Sequence, residues 1–219
     1  MSAFRILVQK DLLMLMRRRG GLLSAFAVGA IVMLMASVSG ESTPQSLAQR
    51  GASAFWMGVF LGSTLLLSDA FAAEQRDGAQ RSLILLGASP TAFFYAKAVV
   101  NFIGLFVAGL MLTLIAVALF GVGPAMGEGV IVLALGTLSL SAPGTLFTAL
   151  VAESENRHLL LPILMFPLVL PVLITVVQAT LLLTFGDPMG QGGAWTSLLV
   201  VFALLHWLLD GALYAKGVD

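Results

Sequence analysis

Six apolar runs follow one another along the 219-residue chain, separated by short polar stretches. A helix that crosses a bilayer core needs about 20 consecutive apolar residues. The runs predict spans at about 20–39, 52–73, 91–120, 130–152, 159–185 and 194–215. The fold class that follows is an all-α membrane protein, built as a single transmembrane unit over residues 1–219. Ahead of the first run, Phe4, Val8, Leu12 and Leu15 share one helical face, with Leu7 beside them and Gln9, Lys10 and Arg17 opposite. That pattern predicts an amphipathic helix lying in the membrane interface, although Asp11 and Arg18 sit at the edge of its apolar stripe. An extension of the first span is a second reading of this segment. A secretory signal is a third, because Arg17–Arg19 precede an apolar run and Ala36-Ser37-Val38 loosely resembles a cleavage site; the many later spans weigh against it.

The polar interruptions predict the turns. Gly40–Gly51 with Pro44, Gly121–Gly129 and Gly186–Gly193 read as turns, and Glu153–His158 as a short charged loop with a solvated His158. The stretch Ser68–Pro90 stands apart, because Asp69, Glu74, Arg76, Asp77 and Arg81 crowd between two apolar runs. Charged side chains are costly inside hydrocarbon, so the segment must leave the bilayer. It is expected to form a loop carrying a short helix, with Gly78 and 87–90 as breaks. One reading is an ordinary solvated loop. The sharper reading is a coupling helix that inserts into a soluble motor subunit. Glu74, Arg76, Asp77, Gly78 and Arg81 would then set register, and Leu83 and Leu85 affinity.

Within the spans, Ser141-Ala142-Pro143-Gly144 is expected to break the fourth helix, and Pro162, Pro167 and Pro171 to kink the fifth. Ala142, Pro143, Gly144 and these three prolines form a candidate hinge; static kinks are the plainer alternative. Gly58-x-x-x-Gly62 has the small-residue spacing that lets helix backbones approach. Lys97 is placed to snorkel to the cytoplasmic surface. Trp56 and Trp195 fit an aromatic belt at the outer span ends, and Trp207 lies deeper. Asn101 and Gln178 are candidates for hydrogen bonds between helices. His206 and Asp210, four residues apart, share a helical face. They form either a proton relay or heme ligand, or simply a mutually satisfied polar pair.

Charge sets the expected orientation. Arg5, Lys10, Arg17, Arg18, Arg19, Arg76, Arg81, Lys97, Arg157 and Lys216 fall on one side of a six-span topology, and only Arg50 on the other. The positive-inside rule makes the first side cytoplasmic, with both termini on it. Composition narrows the chemistry. At 59% hydrophobic and 10% charged, with a mean hydropathy of +1.02, the chain has lipid as its main solvent. A net charge of zero argues against nucleic acid. With no cysteine and two histidines, neither a zinc nor an iron–sulfur site is expected. No GxxxxGK[ST] loop is present, so the chain is not expected to be an ATPase by that route or an enzyme.

The loop EQRDGAQRSLILLGASPTAFFYAKAVVNF, the Ser-Ala-Pro-Gly motif and the proline-rich LPILMFPLVLPVLI together resemble the heme exporter protein B (CcmB) family. The resemblance runs over nearly the whole chain. Asp77-Gly78, Leu83–Leu86, Ala96-Lys97, Ala142-Pro143-Gly144 and the three later prolines stand in matching contexts, whereas Glu153–Arg157 is more acidic than the family pattern. The resemblance implies a permease subunit of the cytochrome c maturation ABC transporter, in the bacterial inner membrane. It implies a homodimer of this subunit with the ATPase subunit CcmA, the heme-handling subunit CcmC, the small subunit CcmD and the heme chaperone CcmE. No covalently bound cofactor is implied. Heme is a possible substrate of the complex, and ATP binds the partner subunit. The alternative within the family is a mechanical module that couples ATP hydrolysis to release of the heme-loaded chaperone without passing heme.

Overall fold

The computed structural model describes residues 3–17, 20–40, 43–76, 89–121, 127–152 and 154–218, with the backbone alone at 3, 69–76 and 218. Among the described residues there are seven helices and no strand: α1 (Ala3–Arg17), α2 (Gly20–Val38), α3 (Pro44–Arg76), α4 (Pro90–Phe120), α5 (Glu128–Val151), α6 (Arg157–Phe185) and α7 (Gly192–Val218). Helices α2 to α7 are each long and apolar enough to cross a membrane, one for each predicted run.

The helix ends have local causes. Ser89 caps α4 by accepting the Ala92 N–H at 3.2 Å, and Pro90 occupies the first turn, where its missing N–H costs nothing. Gly121 closes the same helix in the left-handed conformation at φ 64°, which glycine adopts without a Cβ penalty. In the turn before α7, Asp187 accepts the N–H groups of Gln191 and Gly192 at 2.7 and 2.6 Å. The Gly192 bond, then the Gln191 bond, hold its carboxyl below the usual carboxylate range.

Two expectations fail here. The predicted turn 40–51 gives way to helix at Pro44, because Thr43 accepts the Ser46 N–H at 3.3 Å and Pro44 supplies a helical φ. Helix α5 runs unbroken through Pro143, and α6 through Pro162, Pro167 and Pro171. A proline removes one backbone donor, but surrounding helices and hydroxyl side chains can compensate within a bundle. In α5 the hydroxyls of Ser141, Thr145 and Thr148 bond back to carbonyls of their own helix, so its polar residues are satisfied without leaving the helical path.

Helix α3 is the centre of the bundle, since its span is mostly buried while α2, α4 and α7 turn most of theirs outward. Along it lies α2, seated by glycine. A Cβ on Gly62 would stand 2.7 Å from the Ala25 carbonyl oxygen, and one on Gly58 would stand 3.0 Å from the Gly29 Cα. Gly58-x-x-x-Gly62 is therefore a contact within the chain, as its spacing predicts. On another side of α3, Trp56 is 2% exposed and donates its indole N–H to Thr180 of α6 at 2.9 Å. Trp56 is thus a core residue and not part of an aromatic belt; with α3 starting at Pro44, it lies well inside the helix. The main apolar cluster gathers Trp56, Phe60, Leu67, Leu105, Leu133 and Met165. A second, smaller cluster brings Leu7 of α1 against Phe93 and Phe94 of α4, Ala142 and Leu146 of α5, and Tyr214 of α7.

Candidate functional site

Of the expected coupling segment, Glu74 and Arg76 extend α3 by its last turn. Asp77, Gly78, Arg81, Leu83 and Leu85 lie outside the described residues. The chemistry that the structure does place is a buried polar seam at the end of the bundle marked by the second cluster.

The first turns of α4 build one side of it. Phe93, Lys97 and Asn101 recur every four residues and so share a helical face, and all three are buried. Lys97 is 4% exposed and does not reach the surface as predicted. Its ammonium meets Asp11 of α1 at 3.2 Å and lies 5.8 Å from the Phe93 ring centroid. Asp11 is equally buried, with its other oxygen 3.2 Å from the half-exposed Lys10. A lone charge here would carry a large desolvation penalty, which close opposite charges offset. The inward face of α1 thus centres on Leu7 and Asp11, while Ile6, Leu13 and Met16 turn outward. The stripe drawn through Phe4, Val8, Leu12 and Leu15 misses that centre by about one residue, and Phe4 is itself exposed.

One turn deeper on α4, Asn101 donates to the Thr145 hydroxyl of α5 at 2.9 Å, the interhelical bond expected of it. Gln178, its counterpart in the prediction, is exposed instead. On α7, His206 Nδ1 stands 3.4 Å from Asp210 Oδ2, and both side chains are buried. These two atoms lie close but make no aligned hydrogen bond among the described residues, so the pair is not the mutually satisfied one of the plainer reading. Tyr95 and Trp207 bind α7 to its neighbours. The Tyr95 hydroxyl donates to the Trp207 carbonyl at 3.0 Å, and the Trp207 indole donates to the Leu138 carbonyl of α5 at 3.1 Å. His158 is exposed, as expected, and its Nδ1 also lies 3.1 Å from the Ser68 hydroxyl, joining the start of α6 to α3.

This geometry ties helices together. Among the described residues no three His, Cys, Asp or Glu side chains gather as metal ligands. The crevice between α2, α3 and α4, beside Gly58 and Gly62, holds about 10 Å³, room for a water at most. The hinge candidates divide by location. Ala142, Pro143 and Gly144 are fully enclosed, with Leu67 packed onto Gly144; Pro167 and Pro171 face outward.

The family model for CcmB protein matches residues 1–215. The chain belongs to the CcmB family. Among its relatives, heme exporter protein B of Bradyrhizobium diazoefficiens is 30% identical over 215 residues, which cover 95% of this chain and 94% of the relative. Heme exporter protein B of Paracoccus denitrificans is 32% identical over 180 residues, covering 80% and 81%. With its six apolar helices and bacterial relatives, this CcmB family member is a multi-pass protein of the inner membrane. The buried Asp11–Lys97 pair is the feature of the family member that sequence reasoning missed. Its signal was present, because a carboxylate inside an amphipathic stripe and a lysine inside a long apolar run each need a partner.

Proposed function

We propose that this chain is the membrane permease subunit of a heme export system that serves cytochrome c assembly, driven by a separate ATPase subunit. The observation that carries the reading is the family match across residues 1–215 of a chain with six span-length helices. The lack of a GxxxxGK[ST] phosphate loop supports placing ATP hydrolysis on the partner. In this reading Glu74, Arg76, Asp77, Gly78, Arg81, Leu83 and Leu85 dock that ATPase subunit, CcmA. CcmC, CcmD and the chaperone CcmE complete the assembly, and heme is its cargo. The α5–α6 pair, with Pro143, Pro162, Pro167 and Pro171, is the element that bends in response.

The test is complementation. A bacterium lacking its own family member is given this chain, and covalent heme on its c-type cytochromes is measured. The intact chain should restore them. Arg81→Glu combined with Asp77→Lys should abolish both restoration and co-purification of the ATPase subunit, because removing one partner of a buried docking pair costs about 2–5 kcal/mol. Failure of the intact chain to restore cytochromes overturns the functional reading. Undiminished ATPase binding by the double variant overturns the docking assignment alone.

A further inference from the structure

Among the described residues, two side-chain hydrogen bonds join α3 and α6. One is the Trp56–Thr180 bond of the core, and the other runs between His158 and Ser68. Pro162, Pro167 and Pro171 all fall between these two fastenings on α6. None of the three brings an N–H to the carbonyl four residues before it, which for Pro162 is the carbonyl of His158. The start of α6 is therefore tied less firmly than usual to the rest of its own helix, while a side chain ties it to α3. Helix-end electrostatics does not account for this basic start. Acidic side chains are the favoured ones at a helix N-terminus, yet the first turn holds Arg157 and His158 and no acid.

The chemistry of the His158 fastening is fixed by its partner. Ser68 is 2% exposed, and its hydroxyl donates to the Leu65 carbonyl of its own helix at 2.9 Å. A hydroxyl has one proton to give, so toward His158 the Ser68 oxygen can only accept. The ring nitrogen 3.1 Å away, Nδ1, is then the donor. Nδ1 bears a proton in that neutral tautomer and in the charged ring alike, so the bond does not depend on the charge of His158. Beyond Ser68 the backbone of α3 continues through Glu74 and Arg76, the first of the residues that the proposed function gives to the ATPase subunit. We infer that His158 is a positioning residue: its Nδ1–H holds the start of α6 to α3, so that a displacement of the end of α3 is passed to α6 at that point. The inference rests on the reading of this chain as an ATPase-driven permease, and it adds the side chain through which one helix follows the other. Without the bond, the end of α3 shifts against α6, and the segment with the three prolines is left behind.

Complemented cells expressing the whole complex test the role. His158→Ala should keep its amount in the membrane, its co-purified ATPase subunit and that subunit's ATP hydrolysis. Covalent heme on c-type cytochromes should fall about fivefold, the worth of one ordinary hydrogen bond. Hydrolysis that continues while heme attachment falls is a signature that a merely structural defect does not give. His158→Asn, whose amide N–H stands near the place of Nδ1, should restore most of the loss, and His158→Leu, which only fills space, should not. Ser68→Ala should match His158→Ala, with the double variant no worse than either, as expected of two ends of one contact. The chain has only two histidines, so NMR of isotope-labelled histidine, with His158→Asn to assign the signal, reads the ring directly and should show Nδ1 protonated. Parental heme attachment in His158→Ala, loss of the ATPase subunit together with heme attachment, no rescue by His158→Asn, or a neutral ring protonated on Nε2 would each overturn the inference. If the intact chain itself restores no cytochrome, the functional reading falls, and the tautomer of the ring still decides the contact.

Discussion

Asp11 and Lys97 show how a single residue can be read correctly for type and wrongly for place. Lysine near the start of a span ordinarily extends its stem toward water. Here α1 covers that route, and the ammonium is held by a carboxylate instead. The prediction is asymmetric. Lys97→Met should destabilise the detergent-solubilised protein by about 3–5 kcal/mol, because Asp11 stays buried with only Lys10 beside it among the described residues. Adding Asp11→Leu to that variant should recover most of the loss, since an apolar pair of similar volume is often neutral. Thermal unfolding of the two variants and the parent decides it; equal loss in the single and double variants would refute the pairing. His206 and Asp210 were legible from sequence because they sit four residues apart on one helix. Asp11 and Lys97 were not, because only the fold brings them together.

Among the helices, the α2–α3 contact makes the sharpest prediction. A methyl group at position 62 meets backbone, the Ala25 carbonyl, which cannot rotate away. Gly62→Ala should therefore push the two helices apart and cost about 1–3 kcal/mol. Gly20→Ala, where a Cβ meets nothing within 4 Å, should leave stability unchanged. Loss of thermal stability in both variants, or in neither, would show that close approach is not what Gly62 provides. The spans themselves were legible because an apolar run of bilayer length has few other outcomes. The start of α3 was not, because Gln45, Ser46, Gln49 and Arg50 look like a turn once the Thr43-Pro44 start signal is overlooked. The proline of α5 misled in the opposite direction. A rule learned in water treats proline as a break, while a packed bundle keeps the helix and leaves the freed carbonyls to be met elsewhere.

For the whole molecule, the basic residues argue for both termini in the cytoplasm. Because the native chain has no cysteine, single-cysteine variants can be labelled from either side of the membrane. A cysteine replacing Gln80 should react only from the cytoplasm. One replacing Met189, which is 80% exposed in the α6–α7 turn, should react only from outside. The reverse pattern would invert the topology and remove the segment between α3 and α4 from reach of any cytoplasmic ATPase.

The Asp11–Lys97 contact also orders events during synthesis. Asp11 emerges 86 residues ahead of its partner (97 − 11). At a translation rate of about 5–20 residues per second, the N-terminal segment waits roughly 4–17 s, while α2, α3 and the segment leading to α4 follow it out of the ribosome. During that interval Asp11 lacks the Lys97 ammonium, so the contact that ties α1 to α4 cannot yet form. The first helix made therefore cannot complete its ion pair until the start of α4 has been synthesised, and it finds the rest of its seat only when α5 and α7 follow.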